Sequence, residues 1–225
     1  YGLAYSIGML VQLFISGMNS ALTPWMYSKI KKGDIRSMRK VLQLLGIVVV
    51  GIAVALMLIS PELVLIFGSP KYREAVYVIP PVAASVFFIF IYNILSMPQF
   101  YYEKTQFLMA ASMAAAGANV VLNFIFIRLF GYIAAGYTTL ACYMLYSVGH
   151  YIVSKRILVK EGIQENLMNP GFLVACAVFL IGASIICNLI FPYRILRYAI
   201  MLASAGLVFW KKELLLKTMA DIRKK

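Results

Sequence analysis

Residues 2–27, GLAYSIGMLVQLFISGMNSALTPWMY, pass without one charged side chain. A helix of that length reaches about 39 Å, more than the roughly 30 Å of hydrocarbon in a bilayer. The stretch therefore predicts a transmembrane helix that tilts or runs past the hydrocarbon edge. Its polar residues are ordered. Tyr5, Gly8, Gln12, Ser16, Asn19 and Thr23 follow one another at steps of three or four, so all six share one helical face. Polar groups are costly in lipid, and such a stripe marks the face turned toward protein or a water-filled space.

The rest of the chain continues in the same vein. Of its 225 residues 63% are hydrophobic, and the mean hydropathy is +0.87; soluble domains use roughly 45–50% apolar residues. Apolar stretches at 41–60, 76–97, 107–127, 132–153, 172–191 and 195–210 complete the pattern. Because lipid offers backbone amides no partners, they predict an all-α, polytopic transmembrane bundle of about seven spans. The last stretch reaches only about 24 Å and fits an interfacial position as well as a spanning one.

The net charge of +13 belongs to membrane topology rather than to nucleic acid, because the basic residues sit in short connections and form no continuous groove. Lys29, Lys31, Lys32, Arg36, Arg39 and Lys40 follow span one, and Lys104 follows span three. Lys155, Arg156 and Lys160 follow span five, and Lys211, Lys212, Lys217, Arg223, Lys224 and Lys225 form the tail. If the spans alternate, all of these lie on one side, and only Lys71, Arg73, Arg128, Arg194 and Arg197 lie on the other. The positive-inside rule then puts the first residue outside and the last inside the cytoplasm.

Segment 28–40 reads either as a short amphipathic helix along the inner surface, touching it through Ile30, Ile35 and Met38, or as a solvated loop. Segment 154–170 is the longest polar interruption and the expected cytoplasmic boundary. It divides a lobe at 1–153 from two peripheral spans and a basic tail at 171–225. Pro61, Gly68 and Pro70 predict a turn after span two, and Pro24 a bend or end in span one. Pro80 and Pro81 fall in the first turn of span three, where a missing amide donor is tolerated. Tyr1 stands where neither an initiator Met nor a signal peptide begins, so the chain reads as the later part of a longer protein.

Further stripes occur. Span three carries Ser85, Tyr92 and Ser96; span five carries Thr139, Tyr143, Tyr146 and His150. Span four has Asn119 and Asn123 one turn apart, beside a small-residue surface from Ala110 to Ala118 suited to close packing. Any one of these groups is explained by adhesion between helices, but four striped spans together point to a shared polar cavity. Its candidate lining is Gln12, Ser16, Asn19, Thr23, Ser85, Tyr92, Asn119, Asn123, Thr139, Tyr143 and Tyr146. Spans two, six and seven lack stripes and are expected to face lipid.

Signs of catalysis are missing from these stretches. No Asp or Glu lies within a predicted span, and no Ser/His/Asp set or phosphate-cradling glycine loop occurs. Cys142, Cys176 and Cys187 fall inside spans without metal-ligand spacing and read as packing residues. Neither an enzyme nor a metal or cofactor is expected. His150, at the inner end of span five, reads as interfacial rather than as a proton relay.

At this point the residues resemble a known family, the bacterial polysaccharide exporters or lipid-linked oligosaccharide flippases of the Wzx type, within the superfamily of the multidrug MATE transporters. Tyr5, Asn19, Ala21, Pro24, Trp25 and Tyr27, followed by the basic run at 29–34, are similar to that family's eighth helix and following loop. Phe67, Gly68, Tyr72 and Ala75 resemble its next outer loop, and Tyr101, Tyr102, Glu103 and Lys104 its next inner loop. Asn119, Asn123, Ile127, Gly131, Ala135 and Thr139 resemble its Asn-rich helix, glycine turn and small-residue helix. The likeness covers about residues 1–160. Arg128 departs from a usual Pro, and Gly136 from a common Ala.

The resemblance implies the second lobe of a two-lobe transporter in a bacterial cytoplasmic membrane, with two extra helices, whose partners are membrane lipid, a lipid-linked glycan and the first lobe of the same protein. It implies transport of an undecaprenyl-pyrophosphate glycan between leaflets by alternating access. For the pyrophosphate it leaves two sources of cations: the other lobe, or Arg128 with the interfacial lysines. Two other readings stand beside it. A MATE-like exporter of small cationic drugs usually has an acidic cavity, which the carboxylate-free spans disfavour; a non-transporting scaffold for envelope assembly would carry a soluble domain upstream.

Overall fold

The computed structural model describes residues 2–68 and 70–210, with side chains omitted at a few positions that include Tyr5 and Lys71. Seven α-helices account for almost all of it: α1 Gly2–Lys31, α2 Ile35–Phe67, α3 Ile79–Tyr101, α4 Gln106–Phe130, α5 Ala134–Lys160, α6 Pro170–Ile190 and α7 Arg194–Trp210. A short 3-10 helix, Pro70–Tyr77, joins α2 to α3. Five of the helices are long and apolar enough to cross a membrane. The others are α5, diluted by its Thr, Tyr, Ser and His residues, and α7, which has 17 residues. The basic tail expected at 211–225 lies outside the described residues.

α3 is the axis of the bundle. It is apolar nearly all round, and a helix of that kind is stable only when surrounded. Of the span that contains it 89% is buried, against none of α4's. α5 lies along it most extensively, α1 and α2 pack on other sides, and α4 rests on the far side of α5. Two glycines set the closest approaches: a Cβ at Gly8 would stand 2.8 Å from Val82 Cγ1, and one at Gly136 would stand 2.7 Å from Pro81 Cγ.

Several helices outrun their expected limits. Segment 28–40 is neither a separate surface helix nor a loop, because α1 continues through Pro24 to Lys31 and α2 starts at Ile35. Asp34 makes the tight reversal possible: its carboxylate caps α2 by accepting from the Ser37 amide at 3.3 Å and pairs with Lys29 Nζ at 2.6 Å. α2 likewise passes Pro61 and ends at Phe67. The ring lacks the amide that would serve the Met57 carbonyl, and the Ser60 hydroxyl donates to that carbonyl instead, at 2.7 Å. α5 runs to Lys160, which narrows the polar connection to 161–169. That connection is fastened to α2, with Arg39 Nε donating to the Asn166 carbonyl at 2.7 Å and Arg36 and Arg39 both reaching Glu165.

The expectation that α2 and α7 simply face lipid is corrected at the opposite end of the bundle. Arg197 of α7 is 2% exposed and inserts against α2. Its Nη1 donates to the Leu58 carbonyl at 2.9 Å and its Nη2 to Glu62 Oε1 at 2.7 Å, while the Tyr198 hydroxyl donates to the same carboxylate. Glu62 lies in the helical extension beyond Pro61, so a carboxylate does occupy a long apolar helix. It is neutralised there by the guanidinium.

Candidate transport cleft

Side chains from α3, α4 and α5 enclose an open cleft of about 540 Å³. Its lining includes Tyr92 from α3, Ser112 and Asn119 from α4, and Thr139, Cys142, Tyr143 and Tyr146 from α5. The 3.6-residue period accounts for this: Thr139, Tyr143 and Tyr146 stand on one face of α5, and Ser112 and Asn119 on one face of α4. Tyr92 and Tyr143 lie with ring planes 5° apart and centroids separated by 6.2 Å; Tyr146 tilts against Tyr92 at 4.7 Å. A hydroxyl pair closes the cleft on one side, with Ser112 Oγ and Tyr146 Oη 2.8 Å apart. Asn119 is held from behind, because Asn123 Nδ2 donates to its Oδ1 at 2.9 Å. Asn123 in turn accepts from the Thr138 hydroxyl and so ties α4 to α5.

The remaining predicted residues divide. Gln12 and Ser85 share a narrow crevice between α1, α3 and α5 that also touches Thr139 and Tyr143, so two faces of these residues serve adjoining spaces. Ser85 is buried, and its hydroxyl donates to its own helix at the Val82 carbonyl, 2.6 Å away. Asn19 is buried at 7% exposure, and its Oδ1 has no hydrogen-bond partner. Thr23 donates to the Asn19 carbonyl at 2.8 Å and lies 3.6 Å from Met97 Sδ, a packing arrangement between α1 and α3. Ser16 is exposed and lines neither space. Arg128 is not in the cleft; its guanidinium covers the Phe124 ring at 3.8 Å, near the end of α4.

Two polar features escaped the sequence. Ser112 sits seven residues before Asn119, on the same face, hidden in a run of alanines. Gln99 continues the spacing of Tyr92 and Ser96 by three residues, just past the expected end of span three. Beneath the cleft its Nε2 lies 2.8 Å from His150 Nδ1. His150 is completely buried among Tyr92, Phe107 and Tyr146.

At the basic end, a second cavity of about 770 Å³ opens between the α3–α4 turn and the last turns of α5. Lys104, Lys155, Arg156 and Lys160 stand around it with Glu103 and Glu161 over an apolar floor of Phe107, Val153 and Ile157. On the other flank of the α3–α5 pair, facing α6, lies a groove of about 390 Å³ whose walls include Phe88, Ile91, Met144, Leu173, Val174 and Val178.

An open cleft that sets hydroxyl, amide and phenol groups among apolar helices suits a membrane carrier, and the sequence family agrees. The MatE family model matches residues 1–125, from the start of α1 into α4. The chain belongs to the MatE family. Members of that family are transporters, which makes this chain a multi-pass membrane protein of the MATE transporter type. The match ends inside α4 and leaves out the α5 wall of the cleft. The chain matches no curated protein and no solved structure.

Proposed function

We propose that this MatE chain is the second lobe of an exporter of lipid-linked oligosaccharide, set in a bacterial cytoplasmic membrane with its first residue outside and its last inside. The observation that carries the reading is the chemistry of the cleft. Its polar lining is amide, hydroxyl and phenol, with no carboxylate among the residues that form it. Such groups both donate and accept, which suits sugar hydroxyls, and tyrosine rings offer faces for sugar C–H surfaces. A small organic cation would be served better by an acid, and the half-buried carboxylate of α2, Glu62, is already paired with Arg197. The anionic head of the lipid carrier finds Lys104, Arg156 and Lys160 at the basic mouth, where the positive-inside rule places the cytoplasm. Arg128, over Phe124 at the other end, fits release better than capture.

Deleting the full gene and labelling lipid-linked glycan leaflet by leaflet tests this. The outer-leaflet pool is expected to collapse, and Asn119→Leu in the restored gene to lower it at least ~10-fold, with normal membrane expression, as for a lost polar substrate contact. An unchanged outer-leaflet pool in a strain without a paralogue would end the reading.

A further inference from the structure

The groove on the α6 flank has an open side and a built end. α6 is 21 residues long, roughly 31 Å, and so matches the hydrocarbon thickness by itself. The groove touches it from Pro170, its first residue, to Ile181 near its middle, and therefore occupies one half of the bilayer. α6 packs on α2 and α3 and leaves a gap toward α5. Phe88 and Ile91 form the buried floor of that gap, whereas Val148, Val174 and Val178 are 55%, 62% and 66% exposed and leave it open to the side. The Ser147 hydroxyl is spent on the Phe88 and Tyr143 carbonyls, 2.9 and 2.8 Å away. Between Tyr151 and Ile181 the walls thus offer no free hydrogen-bonding side chain, and the groove fits hydrocarbon.

The end at Pro170 has a different chemistry. Tyr151 lines it and lies near enough to Arg39 of α2 to feel that charge. Arg39 is fixed in place, with Nε donating to the Asn166 carbonyl at 2.7 Å. The segment it holds continues through the buried Leu167 and Met168 to Asn169, which caps α6 at the Gly171 amide. Arg36 and Arg39 share the carboxylate of Glu165, each 3.3 Å from one oxygen, and leave one positive charge uncancelled. Both contacts are long, and the Arg36 side chain is 78% exposed, so an anion with more oxygens can enlist these guanidiniums at little cost. A basic corner at the water line beside an apolar groove is complementary to an amphiphile with an anionic head. A helix from another protein would match the groove alone, and a polyprenyl chain would outrun a groove that stops at mid-membrane.

We propose that this groove is a binding site for an anionic phospholipid of the inner leaflet: one acyl chain lies against Phe88, Ile91 and Leu173, and the phosphate sits between Arg36, Arg39 and the Tyr151 hydroxyl. The chain fills the gap between α5 and α6. The leaflet follows from the orientation proposed above; the site itself depends on neither that orientation nor the cargo.

The test uses the full-length protein in nanodiscs of equal parts phosphatidylglycerol and phosphatidylcholine, with a fluorophore on Val174→Cys in a background without other cysteines. Bromine is placed on the acyl chains of one lipid at a time. Quenching by brominated phosphatidylglycerol is expected to exceed quenching by brominated phosphatidylcholine at least ~3-fold. Arg36→Gln, which alters an exposed side chain, should lower that ratio, and Arg36→Gln/Arg39→Gln should bring it to about 1. Glu165→Gln removes the competing carboxylate and should raise it, whereas a merely structural role for these ion pairs would lower it. Equal quenching by the two lipids before any charge is changed would mean ordinary boundary lipid and overturn the site. So would a preference that survives the loss of both arginines, or one that falls in Glu165→Gln. Quenching by neither lipid would put protein in the groove and overturn it as well. The nanodiscs contain no polyprenyl lipid. An outer-leaflet glycan pool that persists in the gene deletion would therefore end the exporter reading and leave this site standing.

Discussion

A methyl group at position 136 would stand 2.7 Å from Pro81 Cγ and 3.1 Å from the Val78 carbonyl, and neither a pyrrolidine ring nor a backbone oxygen moves aside easily. Gly136→Ala should therefore push α5 off α3 at about 1–3 kcal/mol of overpacking, which outweighs the ~1 kcal/mol that alanine gains over glycine in a helix. Gly117→Ala, where a Cβ meets open space, should keep that gain. Thermal unfolding in detergent measures both, and equal midpoints would refute the close approach. This also explains why Gly stands where related sequences were expected to carry Ala. Asp34 makes a different prediction. The Lys29 ammonium, and after it the Ser37 contacts, hold its carboxyl at about 2, below the ordinary 3.8. A depressed carboxyl contributes stability that is complete above 3.8 and fades as the pH falls toward about 2. The advantage of wild type over Asp34→Asn should shrink within that window, and a gap unchanged from neutral pH down to pH 2 would assign it to something other than the charge.

At the scale of elements, the contact between α2 and α7 depends on one guanidinium. Arg197→Met leaves Glu62, whose side chain is 32% exposed, without its partner. Breaking a buried pair costs about 3–5 kcal/mol, and the partial exposure argues for the low end. Exchange of the α7 amides should accelerate in that variant and largely recover in Arg197→Met/Glu62→Gln; equal exchange in both would mean that packing alone holds α7. The same contact shows what a local reading cannot reach. The helices were legible because apolar runs of spanning length and polar stripes at steps of three and four admit few alternatives in lipid. Pro61 was misread as a stop because the sequence shows the lost amide but not the Ser60 hydroxyl that replaces it, nor the partner for Glu62 at Arg197, 135 residues away. Gln99 was within reach, since it extends the Tyr92–Ser96 spacing, and it was lost only by closing the span at 97. Ser16 failed for the opposite reason: it obeys the stripe, but periodicity says which residues share a face and not which face meets a neighbour.

Over the whole molecule, the α3–α5 pair separates two spaces of different character, a cleft of mixed polar and apolar lining beside α4 and an almost wholly apolar groove beside α6. A carrier needs this asymmetry: water and a polar solute must enter on one flank, and hydrocarbon must seal the other. The contrast can be read with single cysteines in a background that has Cys142, Cys176 and Cys187 replaced by Ala. Asn119→Cys faces the cleft, and Val178→Cys faces the groove. A charged, impermeant thiol reagent reacts with the thiolate, which forms only where water reaches. In proteoliposomes Asn119→Cys should therefore label at least ~10-fold faster than Val178→Cys. A probe attached at Val178→Cys should instead be quenched by lipids brominated on their acyl chains, and one at Asn119→Cys should not. Equal labelling at the two sites would mean that hydrocarbon or protein fills both spaces, and the cleft would then be packing rather than a path.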